Sequence, residues 1–232
     1  MGAAPKKAER DVRAGETVSD VAYGRIRADI LFGRLKPRER LRLEIFSQRY
    51  GTSVSTMREL LSRLGSEGLI VAEGQRGFEV APVSPVEFRE VAAMRLLLEQ
   101  HALTQSFQAG DLDWEARVVA AHHKLAVTEG RMLRREVSDP EVWKDCDRAF
   151  HHALISACGS RVLLQTYAAI YDKYLRYQMI AVVFRGEIAA REHAELLACA
   201  LSRDADRASR ILDIHINSCV DHALRDDPPG WA

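Results

Sequence analysis

The sequence predicts a mainly α-helical protein with a small winged helix-turn-helix at its N-terminal end, joined to an all-helical bundle. Residues 41–81 run in the order helix, tight turn, helix, β-hairpin, which is the order of a winged helix-turn-helix. From residue 86 onward, apolar residues recur at helical spacing, without the alternation typical of strands. We therefore expect three helices and a hairpin, followed by an antiparallel bundle of about six helices.

The first two helices are predicted from apolar spacing and from the residues that end them. The first is expected over residues 18–33, because Gly33 and then Pro37 stop it. The second begins near residue 41 and ends at Gly51, since glycine tolerates positive φ. Its expected inner face comprises Leu41, Ile45, Phe46 and Tyr50.

The third helix is predicted to begin at Ser53, whose hydroxyl can accept a hydrogen bond from a free backbone N–H. One apolar stripe runs along it, opposite a polar face, and comprises Val54, Met57, Leu60, Leu61 and Leu64. In a winged helix-turn-helix, this helix lies in the major groove of double-stranded DNA. The residues expected to reach phosphates and base edges are Ser53, Ser55, Thr56 and Arg58, with Gln75 and Arg76 from the wing. The alternative is a generic helical hairpin whose polar face is merely solvated.

The hairpin is expected from two short β-type runs, residues 69–72 and 78–81, around a glycine-rich basic turn. Pro82 and Pro85 then form a short, stiff connector. We therefore predict a disordered tail over residues 1–17, a DNA-binding domain over 18–83 and an effector-binding and dimerisation domain over 84–226.

Composition narrows the class of protein. The formal net charge is +0 at pH 7, but the first third has a small excess of basic residues and the remainder a small excess of acidic ones. Such asymmetry fits a DNA-facing part joined to a part with another role. The four cysteines include no C-x-x-C pair, which favours buried thiols in a reducing cytosol. No apolar run approaches the roughly 18 residues of a membrane helix, so we expect a cytoplasmic protein without a membrane partner.

Glycine, proline and capping residues divide the remainder of the chain into six helices. Their expected bounds are approximately residues 86–108, 112–135, 140–159, 160–184, 187–203 and 204–224.

Three of these helices carry candidate metal ligands. Asp147 and His151 lie four residues apart, so both side chains point from one helix face, while His193 and His215 lie on the fifth and sixth helices. One carboxylate and three imidazoles are a plausible ligand set for a divalent cation. Spacing alone leaves open that Asp147 and His151 form an ordinary hydrogen bond. It also does not exclude the other histidines as ligands. These are His101, His122, His123, His152 and His222.

Several segments, in the correct order, resemble regulators of the GntR family. Residues 58–70 (Arg-Glu-Leu-Leu-Ser-Arg-Leu-Gly-Ser-Glu-Gly-Leu-Ile) are similar to the family's recognition-helix signature, and residues 30–37 and 77–80 to its flanking turn and wing. Further along, residues 147–154, 192–201 and 204–215 resemble the FadR-type C-terminal ligand-binding domain, called FCD. Arg95 and Glu99 are similar to part of that domain's first helix.

The resemblance implies roles for these residues. In metal-binding FCD members the matching positions hold the ion, which here are Asp147, His151, His193 and His215. The implied ion is divalent, with Zn expected first and Ni, Mn or Fe as alternatives. A small organic acid is implied as effector, bound to the ion through its carboxylate. Arg95 either adds a charge-assisted contact to that acid or forms a structural ion pair. A homodimer that represses from a pseudo-palindromic operator is implied as well.

The sequence departs from the family at Val54, where an arginine usually reads a guanine. Valine cannot make that bidentate contact, which is worth about 1–3 kcal/mol, so the operator is expected to differ. Two other functions compete with a metal-anchored sensor. One is a metal-dependent enzyme using the same Asp/His set, although no general-base carboxylate stands out beside the ligands, and we expect no enzymatic activity. The other is an FCD sensor that binds its effector without metal.

Overall fold

The computed structural model describes residues 17–72, 77–136, 139–181 and 184–225. These residues fall into two compact units. The first comprises the chain up to Ile30 together with Arg38–Ala81, and the second comprises Leu31–Pro37 together with the chain from Pro82 onward. The predicted disordered tail over residues 1–17 lies outside the described residues, apart from Thr17.

The first unit contains three helices and a small antiparallel sheet. The helices are α1 (Val18–Leu31), α2 (Leu43–Tyr50) and α3 (Val54–Ser66), and the strands are β1 (Arg40–Leu41), β2 (Ile70–Ala72) and β3 (Phe78–Val80). The strand order is β1-β3-β2, with Leu41 opposite Phe78 and Ile70 opposite Val80. The predicted helix-turn-helix and hairpin are therefore present, and β1 extends the hairpin to three strands. Sequence pattern did not reveal β1, because two residues carry no alternation.

Most of the predicted apolar stripe of α3 lies in the core of this unit. Met57, Leu61 and Leu64 are fully buried and Leu60 nearly so, whereas the side chain of Val54 is 40 % exposed. Val54 is the first residue of α3 after the Ser53 cap, and the buried residues of this helix begin at Met57. On α2, Ile45 is also exposed, although the sequence placed it on the inner face. The first helix ends at Leu31, two residues earlier than expected, because Gly33 adopts a positive φ of 69°.

The N-terminus of α3 is fixed by its cap. Ser53 has extended backbone angles, and its hydroxyl accepts a hydrogen bond from the Thr56 backbone N–H at 3.1 Å. Loss of such a cap costs about 1 kcal/mol.

We expect Ser53→Ala to loosen the first turn of α3 without unfolding the unit. A cost of about 1 kcal/mol corresponds to roughly fivefold faster hydrogen exchange of the α3 backbone amides. Ser66→Ala is the matched control, because the Ser66 hydroxyl donates only to the Arg63 carbonyl at the other end of α3. Equal exchange in wild type and Ser53→Ala would show that the cap does not hold this turn.

The second unit consists of six helices among the described residues. They are α4 (Pro85–Ala109), α5 (Leu112–Leu133), α6 (Pro140–Ile155), α7 (Arg161–Ile180), α8 (Glu187–Ser202) and α9 (Ala205–Leu224). Two helices, α6 and α7, end four residues earlier than predicted. Residues 156–159 form turns after α6, with the Cys158 N–H donating to the Ile155 carbonyl three residues back, and residues 182–183 after α7 lie outside the described part of the chain.

The bundle core combines aromatic packing with buried charges. Phe88 stacks on Tyr177, with ring centroids 4.8 Å apart, and Trp114, Phe150 and Tyr174 are fully buried. Several charged side chains lie in the same interior, among them Arg95, Glu99, Glu129, Lys144 and Asp147. Burial of charge is costly unless the groups are paired. A cluster of buried charges therefore indicates a candidate functional site. Among the described residues, no helix is both long and apolar enough to cross a membrane.

Candidate nucleic-acid interface and metal centre

The polar face of α3 is available for contact with a partner. Ser53, Ser55 and Arg58 are exposed and Thr56 is half-buried. The Ser53 hydroxyl lies 2.9 Å from both the Ser55 and the Thr56 hydroxyls, so three polar groups cluster at the helix N-terminus. This end of a helix favours anions such as phosphate, because its free N–H groups carry partial positive charge.

Arg58 is the cation on this face with the fewest constraints. Within the described ranges it has no hydrogen-bond or ion-pair partner, whereas the guanidinium of Arg63 lies 3.9 Å from the Tyr23 ring centroid. The predicted wing residues Gln75 and Arg76 lie outside the described residues. The geometry of α3 therefore leaves Arg58 free to turn toward a ligand.

In the second unit, the structure brings the four predicted metal ligands together. Asp147 and His151 on α6, His193 on α8 and His215 on α9 are all buried, and each offers a ligand atom within 4.8 Å of the others. The Asp147 Oδ1 lies 3.3 Å from His193 Nε2 and 3.9 Å from His151 Nε2. None of the five other histidines belongs to this cluster.

The carboxylate of Asp147 has two distinct sides. Its Oδ1 faces the histidines, and its Oδ2 accepts a hydrogen bond of 2.5 Å from the Tyr171 hydroxyl. The ammonium of Lys144 lies 3.6 Å from the same Oδ2. Burial raises the pKa of Asp147, but the charge of Lys144 and the neighbouring histidines outweigh it and hold that pKa well below its usual range. Asp147 is therefore ionised and oriented toward the cluster.

Each of the three histidines pairs with a glutamate through Nδ1. The pairs are His151 with Glu99 (2.5 Å), His193 with Glu129 (2.8 Å) and His215 with Glu192 (2.8 Å). The Nε2 atoms of His151 and His193 are buried without a hydrogen-bond partner among the described residues. Orphaned buried imidazole nitrogens beside a carboxylate fit the donor set of a divalent cation.

The cluster carries positive charge on one of its histidines. Burial lowers the pKa of His193, but the carboxylates of Asp147 and Glu129 outweigh it and raise the pKa to about 9. Burial, aided by the charge of His193, lowers the pKa of His215 to about 3, despite its hydrogen bond to Glu192. The four side chains therefore stabilise a cation at their centre, and a proton on His193 is one such cation.

A small cavity opens beside the cluster. Besides three of the four candidate ligands, the lining includes the cations Lys144 and Arg185, the polar Gln178, and Trp143, Ala189 and Cys219. The cavity volume is 10 Å³, room for about one water molecule. Arg185 donates to Glu192 (2.5 and 3.2 Å) and to the His215 carbonyl (3.1 Å). Because two of its lining residues are cations, the cavity is suited to an anion.

Arg95, the predicted effector-binding residue, is not among the residues that line this cavity. It is fully buried, with Nε 2.9 Å from Glu99 Oε2 and its guanidinium over the rings of Tyr171 and Tyr174. The Nε atom thus forms an ion pair, whereas Nη1 and Nη2 are buried without a hydrogen-bond partner among the described residues.

Sequence reasoning missed five residues that the structure places at or beside the cluster: Glu99, Glu129, Lys144, Arg185 and Glu192. Glu99 and Glu129 lie 52 and 64 residues from their histidines, so no short motif links them. A signal was available for Lys144, which lies three residues before Asp147 and so on the same helix face.

Comparisons with known proteins agree with both units. The model of the gntR family of bacterial regulatory proteins matches residues 18–80, and that of the FCD domain matches residues 90–218. An uncharacterised HTH-type transcriptional regulator, BphR of Paraburkholderia xenovorans, is 38% identical over 203 residues, covering 87% of this chain and 83% of BphR. The HTH-type transcriptional repressor GlaR of Escherichia coli is 32% identical, covering 84% of this chain and 90% of GlaR.

A solved structure shares the fold. The Escherichia coli protein McbR/YncC superposes with a TM-score of 0.76 at 18% identity, covering 91% of this chain and 99% of that one. These matches confirm the expected fold class and the resemblance to GntR-type regulators with an FCD domain. Both curated relatives are named as HTH-type transcriptional regulators, in agreement with the expectation of a regulator rather than an enzyme.

Proposed function

Since the chain belongs to the GntR family of DNA-binding transcriptional regulators and carries an FCD domain, we propose that it is a homodimeric repressor controlled by a small organic acid. The observation that carries this proposal is the buried Asp/His cluster beside a cavity lined by cations. Repression is favoured by the relative GlaR, which is a transcriptional repressor. Such a regulator acts in the cytoplasm, where it meets its DNA.

In the DNA-binding step, each protomer places its α3 helix in the major groove of one half of a pseudo-palindromic operator. The clustered hydroxyls of Ser53, Ser55 and Thr56 face phosphates near the helix N-terminus. Arg58 reaches base edges, and Gln75 and Arg76 of the wing add further contacts. Because Val54 replaces an arginine, Arg58 supplies the bidentate readout on this helix.

For the sensing step, Asp147, His151, His193 and His215 hold a divalent cation, most readily Zn, with Ni, Mn or Fe able to use the same donors. The cation supplies a positive centre to which hard carboxylate oxygens bind. Lys144 and Arg185 provide charge-assisted hydrogen bonds for the same anion. We assign Arg95, which the sequence nominated for this contact, to holding Glu99 from within the core.

Binding of the acid requires movement in the cavity, because its 10 Å³ admits about one water molecule. Displacement of Arg185, which lines the cavity, from Glu192 and the His215 carbonyl would enlarge it. A ligand that binds one arrangement of Arg185 more tightly shifts the population toward that arrangement. This provides a physical route from effector binding to altered DNA affinity.

A metal-free sensor is the second candidate, and the state of His193 favours it. With a pKa raised to about 9, despite burial, by Asp147 and Glu129, His193 is a cation at neutral pH. Together with Lys144 and Arg185, it can attract a carboxylate without any metal ion.

Elemental analysis of the purified protein separates the two candidates. We expect about one divalent ion per chain in wild type, held by the four side chains, and its loss in the His151→Ala/His215→Ala variant. No ion in either protein, even after incubation with Zn or Ni, would overturn the metal-anchored sensor and favour the metal-free one.

A further inference from the structure

Three glutamates surround the Asp/His cluster, each hydrogen-bonded to one histidine. We propose that Glu99, Glu129 and Glu192 are positioning residues that fix all three imidazoles with Nδ1 protonated and Nε2 free to bind a divalent cation. Each glutamate comes from a different helix, namely α4, α5 and α8. The inference rests on the proposed metal site and adds three residues that determine its affinity.

The direction of each hydrogen bond follows from the chemistry of the carboxylate. An ionised carboxylate only accepts hydrogen bonds, so a histidine facing it must carry its proton on the facing nitrogen. Glu99 and Glu192 each pair with a guanidinium, Glu99 Oε2 at 2.9 Å from Arg95 Nε and Glu192 Oε2 at 2.5 Å from Arg185 Nη2, which favours the ionised carboxylate. In a neutral imidazole whose Nδ1 carries the proton, Nε2 holds the lone pair that ligates a metal.

The three imidazoles converge through their other edges. Their ring centroids lie 4.7 Å apart for His193 and His215, 5.3 Å for His151 and His215, and 5.6 Å for His151 and His193. All three use Nδ1 toward a glutamate, and two of the Nε2 atoms have no other partner within the described ranges. A purely structural role for these His–Glu pairs does not require Nδ1 to be used in all three, or the Nε2 atoms to lie close together.

Glu129 is the most informative of the three. Around the cluster, Glu99 pairs with Arg95, Glu192 with Arg185 and Asp147 with Lys144. Glu129, whose side chain is 2 % exposed, has no lysine or arginine partner among the residues described. When all three histidines are neutral, as binding of a metal through Nε2 requires, the region carries one uncompensated negative charge, which is costly in a buried site unless a cation replaces the proton on His193.

A divalent cation changes that balance to one uncompensated positive charge. A single carboxylate from an effector would then neutralise the site, so the charges of this chain favour a monocarboxylate contact at the metal. Glu129 is thereby required for the ion, although it does not touch it.

One contact competes with this arrangement. Arg185 Nη2 lies 3.1 Å from His215 Nδ1 and would donate to it in the opposite tautomer, in which Nε2 carries the proton and cannot ligate. Glu192 Oε2 lies closer, at 2.8 Å. Because Glu99 and Glu192 are each shared with an arginine, their removal would also leave that arginine unpaired. Glu129 therefore gives the cleanest test.

The test uses metal-free full-length protein titrated with Zn²⁺ in competition with a chromophoric chelator. Glu129→Gln keeps the size and an acceptor oxygen but removes the charge, and the amide can also turn its NH₂ toward the ring. We expect a 10- to 100-fold weaker Zn²⁺ affinity, the usual effect of losing such a partner. Glu195→Gln is the matched control, because Glu195 also lies on α8 but is 52 % exposed and pairs with Arg207; its affinity should equal that of wild type.

Thermal unfolding with and without Zn²⁺ distinguishes positioning from a structural role. If Glu129 positions a ligand, the rise in Tm on addition of Zn²⁺ should be smaller for Glu129→Gln than for wild type. A purely structural role predicts a lower Tm in both states and an unchanged rise. Equal Zn²⁺ affinity in Glu129→Gln and wild type would overturn the inference alone. No Zn²⁺ binding by wild type would overturn the proposed metal site and the inference with it.

If Glu129→Gln does not fold, nuclear magnetic resonance of the Zn²⁺-loaded wild type decides the matter. We expect Nδ1–H protons on three metal-bound imidazoles, protected from exchange with solvent. Protons on Nε2 instead would contradict the assigned tautomers.

Discussion

Replacement of Arg58 with alanine is expected to abolish sequence-specific DNA binding while leaving both units folded. Arg58 is exposed on α3 and has no partner in the described part of the chain, so its removal leaves no buried group unsatisfied. One bidentate arginine–guanine contact is worth about 1–3 kcal/mol. A homodimer makes the contact twice, which brings the loss of binding free energy to about 2–6 kcal/mol.

The measurement is fluorescence anisotropy with a DNA fragment that wild-type protein has enriched from a random library, at one fixed salt concentration. Arg58→Lys is the matched variant, because lysine keeps the charge but cannot form the planar fork. It should retain non-specific binding and lose discrimination between the enriched fragment and random DNA. Operator affinity that is the same in Arg58→Ala and wild type would show that α3 is not the recognition helix.

The winged helix-turn-helix could be predicted because its signals are local. The stripe of Met57, Leu60, Leu61 and Leu64 follows one helical period, and all four residues are buried. Ser53 was recognisable as a cap because the bond it accepts lies within its own first turn. The exposed Ile45 and Val54 show the limit of this reasoning, since periodicity marks a face but not how far the neighbouring elements cover it.

The metal centre was accessible to sequence reasoning only in part. Asp147 and His151 share a helix face, whereas His193 and His215 could be joined to them only through the resemblance to FCD domains. The contact between Glu129 and His193 spans 64 residues, and it depends on how α5 packs against α8. Tertiary packing of this kind leaves no pattern within either helix, so a single sequence does not show it.

Tertiary packing also explains why Arg185, and not Arg95, lines the cavity. Arg95 lies in a recognisable motif, yet its guanidinium is enclosed by Glu99, Tyr171 and Tyr174. Arg185 lies in a segment without a motif and reaches the cavity. The motif therefore located the right region but not the arginine that lines the cavity.

Replacement of His193 with alanine is expected to remove the bound ion and with it the response to the effector. His193 lies closest to Asp147 Oδ1, at 3.3 Å, and it is also the only described partner of the buried Glu129 carboxylate. Alanine therefore removes one of four ligands and leaves a buried carboxylate unsatisfied. The second effect costs about 1–3 kcal/mol of stability or more, so His193→Ala alone would confuse loss of metal with loss of fold.

His193→Gln separates the two effects, because the glutamine amide can donate to Glu129 while it lacks an imidazole nitrogen for the ion. We expect His193→Gln to remain folded, to bind the enriched DNA fragment as wild type does, and to contain less Zn by elemental analysis. The DNA affinity of this variant should no longer change when small monocarboxylates are added. Metal content equal to that of wild type in both variants would remove His193 from the ligand set. A normal response to carboxylates without bound metal would instead identify Lys144 and Arg185 as sufficient for sensing.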